Sequence, residues 1–183
     1  MKKEEIELIL DAQRGNKEAL EKIIKNEQNN IYTTIFYLKQ NDRDVYDIMQ
    51  NVLIKIVQKI HQLKNPDLFK TWLNKIILHT YYDYMRKNKN DFKNKSISEI
   101  NTDIVDFKYN PSDDALYSEL DFKIKQTISN MPIHYKIPIA LREIQGLSYE
   151  TISSITNTSV GTIKSRIARA RGIIKNEIKR YTR

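Results

Sequence analysis

Between Leu147 and Gly172 the chain reads LSYETISSITNTSVGTIKSRIARARG. Ser148 offers a side-chain oxygen as an N-cap, and Ile152 and Ile155 recur at helical spacing until Asn157 interrupts the run. Asn tolerates the left-handed backbone that a tight turn needs, and Ser159 can cap a second time. Ile163, Ile167, Ala170 and Ile174 then lay an apolar stripe along a second helix. The stretch predicts helix, turn, helix.

The second helix carries Lys164, Arg166, Arg169, Arg171, Lys175, Lys179 and Arg180, with Arg183 following, against one acid, Glu177. Basic helices are commonly just solvated. Capping, turn and charge together suit a recognition helix in a DNA major groove flanked by phosphates.

Leu147-Ser148-Tyr149-Glu150, Ser159-Val160-Gly161-Thr162-Ile163-Lys164-Ser165-Arg166 and Arg169-Ala170-Arg171 resemble conserved region 4 of bacterial sigma factors of the extracytoplasmic-function type, group 4 of the sigma-70-like proteins. In that family the module recognises the upstream, −35, promoter element. The resemblance implies that Lys164, Ser165 and Ala168 lie nearest the bases. Arg166, Arg169 and Arg171 are expected on phosphates, with Ser159 and Thr162 at the same surface.

Across its 183 residues the chain has four Gly and four Pro, and Ile, Leu, Lys, Glu and Gln are plentiful, which favours an all-α fold. The net charge of +8 is unevenly spread. Residues 1–90 hold 16 Lys/Arg against 12 Asp/Glu, residues 91–118 hold 3 against 6, and residues 119–183 hold 12 against 5. Two basic blocks therefore flank an acidic joint, a distribution suited to a polyanionic partner.

Cysteine is absent, which excludes disulfides and Cys-ligated metal. His61, His79 and His134 are isolated, and neither an HExxH pattern nor a glycine-rich phosphate loop occurs. Neither an enzyme nor a cofactor is expected. No apolar run reaches membrane-spanning length, and Met1 to Glu7 is charged with no signal-peptide core behind it, so the expectation is a cytoplasmic protein with no membrane insertion.

Residues 4 to about 38 read as two helices broken at Gly15-Asn16. From Asp44 to Lys59, Val45, Ile48, Met49, Val52, Ile56 and Ile60 make a wide apolar stripe, while Asp47, Gln50, Asn51, Ile54 and Lys55 fall on or near the other side. Ile54 is thus an apolar residue on a polar face. An ordinary amphipathic helix is the plain alternative. Asp44-Val45-Tyr46-Asp47-Ile48-Met49-Gln50 also resembles region 2.2 of the same family, which docks on the β′ clamp helices of RNA polymerase. Carried over, this makes Asp47 and Gln50 polymerase contacts, with Asn51 and Ile54 beside them.

His61 to Asp67 is a polar loop ended by Asn65-Pro66, followed by a helix expected over Leu68–Lys87 with Phe69, Trp72, Leu73, Ile76 and Thr80 on its inner face. Phe69-x-x-Trp72-Leu73-x-Lys75-Ile76 and Asp83-Tyr84-Met85-Arg86-Lys87 resemble regions 2.3 and 2.4, which read the −10 element. In the family the loop helps hold a base flipped out of the non-template strand. That resemblance implies −10 contacts by Gln62, Lys64 and Asn65 from the loop and by Lys75, His79, Tyr82 and Arg86 from the helix, with His79 where the family usually has Asn. Asp83 is expected to position the helix rather than touch DNA. Tyr81 and Tyr82 together offer aromatic faces of the sort single-stranded nucleic acid needs.

From Asn88 periodicity fades, and a mobile linker is expected before helices over Ala115–Asn130 and Ile133–Gln145, the latter containing Pro138. The expected architecture is two small helical domains, 1–90 and 115–183, joined by a flexible linker over 91–114, the C-terminal domain a helix-turn-helix. The function implied is that of a sigma factor binding core RNA polymerase (β′ clamp helices, β flap) and promoter DNA. The resemblance also suggests an anti-sigma factor as a partner. A stand-alone helix-turn-helix regulator not tied to core polymerase remains the alternative.

Overall fold

The computed structural model describes residues 2–39, 41–92 and 115–181. These contain eight α-helices and two short 3-10 turns, with no strand among the described residues. The chain divides into two compact units, Met1–Ile35 with Arg43–Ser98, and Phe36–Asp42 with Glu99–Arg183.

The first unit opens with α1 (Lys3–Gln13), where a Glu5 carboxylate oxygen accepts from the Lys2 backbone N–H at 3.1 Å. Gly15, at φ +93, makes the left-handed turn that ends this element, a conformation that costs glycine least. Asn16 then caps α2 (Lys17–Leu38) by accepting from the Ala19 N–H at 3.0 Å. The break expected at Gly15-Asn16 is this turn and cap.

Helix α3 (Asp42–Lys59) buries Val45, Ile48, Val52 and Ile56 almost completely, each burial worth roughly 1.5–3 kcal/mol. Met49, expected in that stripe, is only half-buried at its edge. A 3-10 turn at Ile60–Gln62 and another at Pro66–Leu68 carry the chain into α4 (Phe69–Phe92). Phe69, Leu73, Ile76, Ile77, Leu78, Thr80 and Tyr81 of α4 are buried, a wider arc than the expected inner face. Trp72 stays half-buried against Phe69, ring centroids 5.8 Å apart. Glu27 of α2, itself buried, accepts from Asn30 at 2.9 Å and pairs with Lys70, so its charge is met from two sides.

Helix α4 runs past the expected end at Lys87 to Phe92, because Asn and Lys weaken a helix without stopping it and no Pro or Gly intervenes before Pro111. The expected linker falls outside the described residues from residue 93 onward.

In the second unit α5 (Ala115–Asn130), α6 (Ile133–Glu143) and α7 (Tyr149–Thr156) all pack on α8 (Val160–Tyr181). Its core is Ile128, Met131, Ile137, Ile139, Ala140, Leu141, Ile152, Ile155, Ile163, Ile167 and Ala170. Pro138 lies inside α6, buried, without ending it. The helix stops at Glu143, two residues short of the expected Gln145, and Gly146 at φ +62 turns the chain toward α7.

Candidate nucleic-acid interface

The helix-turn-helix forms as the caps dictate. Ser148 Oγ accepts from the Thr151 N–H at 3.1 Å, Asn157 adopts φ 52 and ψ 46, and Ser159 Oγ accepts from the Thr162 N–H at 3.2 Å. Burial of Ile163, Ile167 and Ala170 turns the opposite side of α8 to solvent. Lys164, Ser165 and Ala168, at i, i+1 and i+4, are exposed on it. Two of the residues expected at the DNA surface are partly committed to the turn, since the Ser159 and Thr162 hydroxyls lie 2.8 Å apart. Ser165 Oγ donates to the Thr162 carbonyl at 2.9 Å.

The three arginines differ in surroundings. Arg166 is half-buried. Arg169 donates to the Tyr135 hydroxyl at 3.3 Å, and Arg171 donates from Nε and a terminal nitrogen to one Glu143 oxygen at 3.0 and 2.7 Å. These bonds to α6 hold both guanidinium groups in place while leaving them exposed.

A cluster the sequence reading did not single out as a site flanks Lys164. The Arg142 guanidinium lies 4.9 Å from the centre of the Tyr149 ring, and the Lys164 ammonium 5.8 Å from it, both within cation–π range. Arg142 also donates to the Leu147 carbonyl at 2.7 Å. Hydrogen bonds from its own backbone and from Ser148, with Lys164 and Arg142 nearby, hold the Glu150 carboxyl below its ordinary range. Arg142, Tyr149 and Glu150 straddle the Ser148 cap within nine positions, and that proximity was the available signal.

On the first unit, Asp47, Gln50, Asn51 and Ile54 are all exposed on α3, Ile54 to 47%. Their spacing places them on one face, which Val57, also 47% exposed, extends by another turn. Asn51 donates its amide N–H to the Asp47 carbonyl at 2.8 Å. A cleft of about 460 Å³ runs beside this face, lined by Asp47, Gln50 and Asn51 from α3 and by Thr80, Asp83 and Tyr84 from α4.

Lys75, His79, Tyr82 and Arg86 follow one another at helical spacing along α4, the last three exposed and Lys75 half-buried. Asp83 accepts from Lys55 at 3.0 Å and also pairs with Arg86. The twin tyrosines part company. Tyr82 is 39% exposed, whereas Tyr81 is 2% exposed, and burial first, then the neighbouring Tyr82, pushes its hydroxyl pKa up to about 12. The expectation that both rings offer a stacking face is corrected: the two positions lie about 100° apart around the helix, and here that turn puts Tyr81 among the buried residues of α4 and Tyr82 outside them.

The loop between α3 and α4 exposes His61, Gln62, Lys64 and Asn65 while burying Ile60 and Leu63. Asn65 uses its side-chain oxygen to cap the second 3-10 turn, accepting from the Asp67 N–H at 3.0 Å. Gln13 of α1 donates to the carbonyls of Ile60 and Leu63 at 2.9 and 2.7 Å. Among the described residues no helix is long and apolar enough to cross a membrane, and no group of three or more His, Asp or Glu could hold a metal ion.

A capped helix-turn-helix with a basic, exposed second helix, carried by an all-α chain with a separate helical unit, defines a DNA-binding transcription protein. Comparison with known proteins narrows the class. Residues 23–90 match the sigma-70 region 2 family and residues 121–173 the sigma-70, region 4 family. The chain is 33% identical over 179 residues to the ECF RNA polymerase sigma-E factor of Haemophilus influenzae, covering 93% of both. It is 28% identical over 178 residues to the protein of that name in Escherichia coli, covering 93% of this chain and 92% of the relative.

Two solved structures share the fold. The sigma factor RpoE of Bartonella quintana, crystallised with the anti-sigma factor NepR, superposes with a TM-score of 0.71 at 22% identity, over 87% of this chain and 96% of that one. CnrH, solved with the cytosolic domain of CnrY, gives 0.69 at 19% identity, over 96% and 97%. The chain belongs to the extracytoplasmic-function sigma factors of the sigma-70 family, proteins that join RNA polymerase and promoter DNA to start transcription.

Proposed function

We propose that the two units divide promoter recognition between them. Residues 1–90 dock on the β′ clamp helices of core RNA polymerase and read the −10 element, residues 91–114 serve as a linker, and residues 115–183 read the −35 element and meet the β flap. The observation that carries this reading is that the first unit bears two exposed faces, one on α3 (Asp47, Gln50, Asn51, Ile54) and one on α4 (His79, Tyr82, Arg86, with the half-buried Lys75 in line with them). A helix-turn-helix regulator acting alone has no use for the first of these.

In this scheme Asp47 and Gln50 anchor the chain with Asn51 and Ile54 packed beside them. Lys164, Ser165 and Ala168 face base edges in the major groove, with Ser159 and Thr162 at the groove's edge, and Arg166, Arg169 and Arg171 meet phosphates. Gln62, Lys64 and Asn65 hold an unstacked base of the −10 element while Tyr82 and His79 follow the opened strand. Their contacts offset an extrusion cost of roughly a few kcal/mol. The chain carries no catalytic step of its own, phosphoryl transfer belonging to the polymerase, and it works in the cytoplasm. An anti-sigma factor is a fitting further partner, because RpoE and CnrH were both solved with a bound partner, in RpoE's case a named anti-sigma factor.

Run-off transcription by bacterial core RNA polymerase, with and without the chain, on genomic fragments that include its own upstream region tests the reading. Discrete starts that depend on the chain are expected, with two shared promoter elements on alignment. No starts, together with specific duplex binding by the chain alone, would replace it with the stand-alone regulator.

A further inference from the structure

We propose that Gln13 is a positioning residue for −10 recognition, a side chain on α1 that holds the base-capturing loop in its receptive shape. The inference rests on the proposed role of residues 61–67 in −10 binding. A primary amide has two N–H groups, and Gln13 donates to the carbonyls of Ile60 and Leu63 at 2.9 and 2.7 Å, from 47 and 50 positions away in sequence. Those carbonyls flank the 3-10 turn whose other tie is the Leu63 N–H to the Ile60 oxygen at 3.2 Å. Ile60 and Leu63 point their side chains into the core, at 3% and 7% exposure, so the residues between and after them are the ones that project outward.

The loop is therefore pinned at its N-terminal end by Gln13 and at its C-terminal end by the Asn65 cap. A loop pinned at both ends holds its polar groups at fixed positions, so it cannot rearrange to satisfy a wrong base, and the difference in affinity between right and wrong bases is kept. Packing alone would not require two directed donors at Gln13; a hydrophobic side chain of equal length would serve.

Gln13→Met keeps the length of the side chain and removes both donors, while Gln13→Glu also removes them and sets a carboxylate against two carbonyl oxygens. Each is reconstituted with core RNA polymerase and assayed on a promoter, mapped with the unaltered chain, whose −10 bases are changed one at a time. Core affinity and melting temperature are measured alongside. For Gln13→Met the ratio of transcription from the favoured to the altered promoters should fall about three- to tenfold, with core affinity held within about twofold, and Gln13→Glu should lower the ratio further. An unchanged ratio overturns the inference, and so does an equal loss on every promoter accompanied by a lower melting temperature, which would mark Gln13 as packing only. Lys64→Ala and Asn65→Ala are run in parallel. If they shift −10 preference and the Gln13 variants do not, the positioning role fails and the loop assignment stands; if none of them shifts it, both fall.

Discussion

Lys55 of α3 reaches across to Asp83 of α4, its ammonium 3.0 Å from a carboxylate oxygen, and so ties the helix proposed to dock on polymerase to the helix proposed to follow the −10 strand. Asp83 also pairs with Arg86, so its carboxylate is held by two cations, one from each helix.

The first prediction concerns pH. The Lys55 hydrogen bond, with the Arg86 bond after it, outweighs partial desolvation and holds the Asp83 carboxyl below its ordinary value of 3.8. A depressed folded pKa gives stability that is present above the unfolded value and lost as the pH falls through the folded one. Asp83 is half exposed, so solvent screening limits the effect, and Asp83→Asn should cost only about 0.5 kcal/mol near neutrality. The gap between the two proteins should close in acid, as denaturant unfolding at a series of pH values would record. A gap that persists below the folded pKa would assign the loss to packing instead.

Lys164 supplies the second. It sits on the exposed side of α8 beside Tyr149, while Arg171 is already bonded twice to Glu143. Lys164→Ala should weaken −35 duplex binding by about 1–3 kcal/mol and relax preference at one base pair. Arg171→Ala should cost less in sequence discrimination and reduce the salt dependence of binding instead. Titrations against a set of single-base variants at two salt concentrations separate these outcomes, and uniform weakening by Lys164→Ala would demote that residue to a phosphate contact.

A third prediction uses the exposed side chain of Ile54. Because that side chain contributes little to the core, Ile54→Ser should change stability by no more than about 0.5 kcal/mol. Binding to core polymerase should nevertheless fall several-fold, as expected for loss of an apolar contact packed beside the Asp47 and Gln50 anchors. Asp47→Ala should act in the same direction. Unaltered core affinity in both variants would remove the α3 face from the docking surface.

The helix-turn-helix was legible in the sequence because its signals are local. Ser148, Asn157 and Ser159 each act on backbone within a few residues, and the stripe from Ile163 to Ala170 follows from helical spacing. The exposure of Asp47 and Ile54 was legible for the same reason. What escaped depends on tertiary neighbours. Gln13 meets the loop, Lys55 meets Asp83, and Arg171 meets Glu143 across separations of 28 residues or more, which no periodicity encodes. Extended chemistry was partly readable too: Arg142 and Tyr149 lie close in sequence, yet their stacking depends on how Gly146 turns the chain between them.

The fourth prediction separates two adjacent tyrosines, of which the family resemblance places only Tyr82 among the −10 contacts. Tyr81 lies in the core of the first unit, and Tyr82 stands on the exposed side of α4 three positions after His79. Truncating a buried aromatic side chain typically costs about 3–5 kcal/mol, so Tyr81→Ala should lower the unfolding midpoint sharply. Tyr82→Ala should leave the midpoint nearly unchanged and weaken binding of the reconstituted holoenzyme to a single-stranded −10 oligonucleotide by about 1–3 kcal/mol, the range for loss of one base–aromatic stack. Both variants would be measured by denaturant unfolding and by fluorescence anisotropy with the labelled strand. If Tyr82→Ala binds the strand as well as the unaltered chain does, the ring is surface decoration, and strand capture must rest on His79, the basic residues of α4 and the loop that Gln13 holds.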